Sequence, residues 1–153
     1  MVQNKKWIVY LSGEIHSDWR EQIKLGAEAL NLPVNFVGPV TNHDASDSCG
    51  VRILGAETDT FWHDNKGAKL NSIRSRKYIN SSDIVVIRFG EKYRQWNAAF
   101  DAGYAAALGK SIITLHDSSL NHALKEVDSA AHAVTSNPEQ VVKILTYSIE
   151  GIL

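Results

Sequence analysis

The sequence predicts a single α/β domain over residues 1–153, built on five parallel strands in a doubly wound sheet. Three observations lead there. Short apolar runs rich in β-branched residues alternate with longer amphipathic runs, the pattern of a parallel sheet covered by helices. A chain of 153 residues suits one domain and buries enough core to fold without staples. No internal repeat or low-complexity linker breaks the alternation.

The strands are expected at WIVYL (7–11), VNFV (34–37), DIVVIRF (83–89), SIITL (111–115) and AHAVT (131–135), each bounded by turn or polar residues. After the first, Ser17 and Asp18 offer an N-cap, and Ile23, Ala27 and Leu30 recur at helical spacing up to Asn31. From Gly38 to His63 no period emerges; a loop that long in a compact domain is functional or conceals a short element. A helix is expected over 65–80, where Leu70, Ile73, Lys77 and Tyr78 form a stripe. Another covers about 95–108, with Gly109 where a left-handed C-terminal residue is wanted. A short helix is expected over 119–127, and a last one from Asn137, with Pro138 at its first position and Val141, Ile144, Leu145 and Ile149 on one face. This order favours an open sheet of flavodoxin-like type, in which ligands sit at the carboxyl ends of the strands.

Charge and composition narrow the partners. Sixteen basic against 17 acidic side chains give a formal net charge of −1, which implies no basic surface for a nucleic-acid polymer. No apolar run approaches the roughly 20 residues of a membrane span. The single cysteine, Cys49, has no internal disulfide partner, and MVQNKKWIVYLSGE lacks a long apolar leader core; a cytoplasmic protein is expected. Small neutral or modestly anionic ligands remain.

The carboxyl-end rule directs attention to Ser12, Gly13 and Glu14 after the first strand, Arg88, Phe89, Gly90 and Glu91 at the third, and His116 after the fourth. All are expected to converge on one rim. Gly13 permits close backbone approach, and Ser12 supplies a hydroxyl near a helix N-terminus. Asp101 belongs with them: in WNAAFDAGYAAALGK it is the one acid among small and aromatic residues, on the stripe of Ala98, Ala105 and Leu108 that should face the sheet. The helix N-terminus would keep it ionised. A purely structural acid, paired with Arg88 or Arg94, is the competing reading.

Three stretches, IVYLSGEIH, IRSRKYINSSDIVVIRFG and FDAGYAAALGKSIITL, resemble the nucleoside 2-deoxyribosyltransferase family, most closely its YtoQ-type branch, in the same order along nearly the whole chain. The resemblance implies that Asp101 stands where that family carries the carboxylate that attacks the anomeric carbon, with Ser12 and Gly13 in the turn facing the sugar. The family's usual nucleophile is Glu, longer than Asp by one methylene, and Asn97 and Ala98 stand where it commonly has a Gly-Thr or Gly-Ser pair. Where the family offers an Asp after the third strand, this chain has Arg88 and Glu91. A nucleoside or nucleotide is the implied ligand.

Cleavage of an N-glycosidic bond passes through an oxocarbenium-like centre, so a carboxylate beneath the sugar stabilises charge or forms a covalent intermediate, and an acid protonates the leaving base. Asp101 and Glu91 are the catalytic candidates, with Glu14 an alternative acid. Trp96, Trp62 and Phe89 are candidates for stacking on a base, and Arg88 for holding a phosphate or carboxylate. Asn97 and His116 complete the binding set. Three His-Asp pairs (His43-Asp44, His63-Asp64, His116-Asp117) lie in predicted loops without metal-ligand spacing, and no Walker or dinucleotide fingerprint occurs, so neither metal nor cofactor is expected. A homo-oligomer is expected from the resemblance and from four Trp residues, with the 95–108 helix and TFWHD as interface candidates. The alternative function is a non-catalytic nucleotide-binding or scaffold domain on the same fold.

Overall fold

The computed structural model describes residues 5–153; residues 1–4, part of the stretch read above for a leader, lie outside the described residues. The element order is β1 (Trp7–Gly13), α1 (Trp19–Ala29), β2 (Val34–Val37), α2 (His43–Leu54), α3 (Thr60–Ser81), β3 (Ile84–Phe89), α4 (Trp96–Ala107), β4 (Ser111–His116), a 3-10 turn (Ser118–Leu120), α5 (Lys125–Ser129), β5 (Ala133–Thr135) and α6 (Pro138–Glu150). The five strands form one parallel sheet in the order β2-β1-β3-β4-β5, the flavodoxin-like arrangement expected. The order reverses between β1 and β3, and that is where the crevice opens.

Period-two alternation divides the core into two layers. Val9, Leu11, Val86, Ile113 and Leu115 point to the α1/α6 face, where they meet Ile23, Val141 and Leu145. Tyr10, Val85, Ile87 and Ile112 point to the other face and meet Ile79 of α3 and Ala98, Ala102 and Ala105 of α4. The small residues of α4 let that helix lie close on the sheet, because a methyl group is all that separates backbone from strand. At the end of α4 Gly109 takes the left-handed conformation expected of it, with φ +69°.

The long aperiodic stretch conceals a whole helix. In α2 the Asn42 side chain accepts from the Ala45 N–H at 2.8 Å and so caps the N-terminus. It carries no apolar stripe because its neighbour is α3 rather than the sheet. A Cβ on Gly50 would come within 2.5 Å of the Lys66 and Gly67 backbone, so the two helices touch main chain to main chain. Asn71 Nδ2 fastens the pair by donating to Ser46 O at 3.0 Å and Ser46 Oγ at 3.1 Å. The expected 65–80 helix begins earlier, at Thr60, where Asp59 accepts from the Phe61 N–H at 2.7 Å. The short 119–127 helix is instead the 3-10 turn followed by α5. No helix among the described residues is long and apolar enough to cross a membrane.

Candidate active site

The carboxyl end of β1 is pinned from beneath. Arg20 of α1, buried, donates from Nε to Leu11 O (3.1 Å), from Nη1 to Glu14 O (2.6 Å) and from Nη2 to Gly13 O (3.1 Å), and Trp19 Nε1 donates to Glu14 O at 2.8 Å. Burial lowers the Arg20 pKa to about 10, with Glu14 acting in the opposite sense, so it stays charged at neutral pH. Gly13 is the residue that makes this turn possible. Its φ of +108° disfavours any side chain, and a Cβ there would lie 2.1 Å from Arg88 O, the same oxygen that accepts the Glu14 N–H at 3.1 Å.

Above this turn the Ser12 hydroxyl, wholly buried, donates to Asp101 Oδ2 at 2.6 Å. Asp101 thus reaches across from the second turn of α4 to the end of β1. Burial raises its pKa above the ordinary value of 3.8, and the Ser12 hydrogen bond offsets part of that rise. Desolvation thus acts against the ionised form that the helix N-terminus is expected to favour. Neither Arg88 nor Arg94 is its partner; Ser12 is. Tyr10, wholly buried beneath α3 and α4, donates weakly to Ser75 Oγ at 3.4 Å, and its pKa is pushed up to about 12 by burial first and by the Asp101 charge second. The phenol therefore remains a proton donor throughout the neutral range.

Asp101 opens into a cleft of about 570 Å³ between α2, α3 and α4, lined also by Gly13, Asn97, Phe100 and Tyr104 and by Asn71, Arg74, Ser75 and Arg76 of α3. That size falls in the range of small-molecule sites. The α3 wall was not foreseen in the sequence. Its lining positions recur at three- and four-residue spacing from Asp64 to Ile79, a polar stripe that apolar periodicity does not reveal.

The single rim expected from the strand ends is in fact two clefts and a buried corner. Ser12, Gly13, Asn97 and Asp101 gather at the first cleft. Glu14, Arg88, Gly90 and Glu91 line a second, of about 330 Å³, on the other side of the β1 turn. Glu14 is occupied there, accepting from the His16 N–H and from Ser17 Oγ at 2.6 Å. Phe89 is core, sunk between the sheet and α4. Trp96 is 71% exposed at the start of α4, with the Arg94 guanidinium 5.8 Å from its ring centroid, and Trp62 pairs edge-on with Phe61 at 5.0 Å on the surface. His116 is buried, its Nε2 3.0 Å from Asp128 Oδ2 and its Nδ1 2.8 Å from Asp117 O. The strand-end rule places Cα atoms, but alternation then turns Phe89 and His116 onto the α4/α5 face, where helices cover them.

The histidine-aspartate pairs stay apart: His43 meets Asp47, His63 meets Asp64 and His116 meets Asp128. Among the described residues no group of three or more His, Cys, Asp or Glu side chains is arranged to hold a metal ion.

The geometry predicts the effect of removing the Ser12 hydroxyl. In Ser12→Ala, Asp101 loses the one hydrogen bond that favours its charged form, so its pKa rises further. The acid limb of any Asp101-dependent activity should move to higher pH, with activity lost on the acid side of the profile and recovered toward alkaline pH. An unmoved limb in a pH–rate profile of the variant would show that Ser12 does not tune Asp101.

A family model described as nucleoside 2-deoxyribosyltransferase YtoQ matches residues 10–149. The chain is 45% identical over 145 residues to the uncharacterized protein YtoQ of Bacillus subtilis (strain 168), covering 95% of this chain and 98% of that one. Among solved structures it is similar to a conserved protein from Enterococcus faecalis V583, with a TM-score of 0.63, 15% identity and coverage of 94% and 99% of the two chains. It is also similar to a 2-deoxyribosyltransferase from Bacillus psychrosaccharolyticus, with a TM-score of 0.51, 18% identity and coverage of 88% and 90%. At those identities the structural likeness establishes the shared fold.

Proposed function

Since the chain belongs to the nucleoside 2-deoxyribosyltransferase YtoQ family, we propose that it cleaves the N-glycosidic bond of a 2-deoxynucleoside or its nucleotide, with Asp101 as nucleophile. The observation that carries this reading is the Ser12–Asp101 contact of 2.6 Å at the wall of a nucleoside-sized cleft. A carboxylate with one oxygen held and the other free is oriented for attack, and the rigid β1 turn and close-packed α4 keep it there.

In the first step the free Asp101 oxygen forms a bond to the anomeric carbon as the C–N bond breaks; the bonding pair leaves on the base nitrogen, which takes a proton from solvent at the cleft mouth. In the second step water or another base attacks the same carbon, the Asp101 ester bond breaks, and the carboxylate is restored as the attacking group loses a proton. Desolvation makes Asp101 the stronger nucleophile once ionised. Phe100 and Tyr104, which line the same cleft, supply aromatic surface for the base. Glu91, exposed and on the second cleft, is not part of this route. The enzyme works in the cytoplasm, where Cys49 stays reduced, and as a homo-oligomer through the exposed aromatics Phe61, Trp62 and Trp96.

The test is a panel of ribo- and 2-deoxynucleosides and their monophosphates, with and without an added acceptor base, read for free base and for exchanged nucleoside. Release or exchange confined to deoxy substrates is the expected result. No release across the panel would leave the non-catalytic nucleotide-binding reading.

A further inference from the structure

We infer that the cleft beside Asp101 is shaped for a nucleoside that carries a phosphate, with Arg74 and Arg76 of α3 as the groups that hold it. The inference rests on the reading of Asp101 above and names the substrate class of that site.

Arg74 and Arg76 both line the cleft, and they flank Ser75 in the chain. Residues on either side of a helical position diverge by about 100° each way, so Arg74 and Arg76 straddle the space above Ser75. Neither forms an ion pair among the described residues. Arg74 makes only a long contact, 3.5 Å to the Tyr78 hydroxyl, with its guanidinium 5.4 Å from that ring's centroid. Its fork of N–H donors is therefore braced yet uncommitted. The Ser75 hydroxyl accepts from Tyr10, which leaves its own proton to donate upward.

The acids of the cleft do not oppose this. Asp64 lies 11 positions before Ser75 on α3, about 16 Å along the axis, and is held by His63; Asp47 of α2 is held by His43. Asp101 is on the facing helix, where its Oδ2 is already engaged by the Ser12 hydroxyl. The second cleft is a poorer anion site. Its Arg88 Nε is buried and unpartnered, but Glu14 and Glu91 share that space and repel an anion. Two arginines, rather than lysines, suit a phosphate because planar forks bind it bidentately.

Binding calorimetry on the Asp101→Asn protein, which retains the cleft without turning ligand over, decides the matter. Each 2-deoxynucleoside is compared with its 5′-monophosphate, in the Asp101→Asn background alone and with Arg74→Gln and Arg76→Gln added. The monophosphate should bind at least about tenfold more tightly than the nucleoside, and the added pair should bring that ratio to within about twofold of one. Thermal melts confirm that the variants fold; both side chains are exposed, so none should be lost. Equal binding of nucleoside and monophosphate, or a preference that survives both substitutions, overturns the inference. Failure of Asp101 chemistry is read separately, from the absence of base release by the parent protein.

Discussion

Asp101→Asn should abolish base release while leaving the fold intact. A nucleophile cannot be replaced by a neutral isostere, so turnover should fall by roughly three orders of magnitude or more. Stability should move the other way. The carboxyl's folded pKa is raised, chiefly by burial, so its protonated form is the one the fold favours. That contribution is fully present below the unfolded value, near 3.8, and is lost as pH rises through the raised value. The asparagine variant has no such loss. Its melting temperature should equal the parent's in acid and exceed it at neutral pH, by a margin on the order of 2–4 °C if about 1 kcal/mol is relieved. Melts at pH 3 and pH 7, set beside a base-release assay, check both halves. A variant that keeps near-parental turnover, or that is less stable than the parent at pH 7, would make Asp101 a structural acid.

Gly13→Ala should be the most damaging single methyl in the protein. The new Cβ would lie 2.1 Å from Arg88 O, and the backbone at φ +108° is hostile to it besides. Neither strand has freedom to yield: Gly13 and Arg88 are register partners of β1 and β3, and Arg20 holds the Gly13 carbonyl from below. Backbone strain and overpacking, each about 1–3 kcal/mol, together give about 3 kcal/mol or more. Urea unfolding should show a midpoint lowered accordingly at unchanged slope, and activity should fall with it because Ser12 is the preceding residue. A loss under about 1 kcal/mol would mean that the β1–β3 junction opens more readily than its hydrogen bonds imply.

Some of this was decided by local sequence alone. The five strands are legible because β-branched runs flanked by turn residues have few other ways to bury themselves, and Asp101 stands out because a lone acid in an alanine-rich helix face needs a partner or a task. The flavodoxin-like order followed from the alternation of elements, since right-handed crossovers admit few alternatives. Other features were settled only by packing. Helix α2 was invisible because Gly50 is its one buried residue; it is held by main-chain approach and the Asn71–Ser46 hydrogen bonds, and neither leaves an apolar period in sequence. His116 and Phe89 stand at strand ends, where the strand rule expects ligand contacts, yet the direction of their side chains depends on which helix lies above them. Arg74 and Arg76 sit 27 and 25 residues before Asp101 in chains of ordinary helix residues, and the β3 crossover alone brings them to face it. Periodicity reports what a segment buries. Which side chains share a cleft depends on the angle and separation of helices, and that is a property of the folded whole.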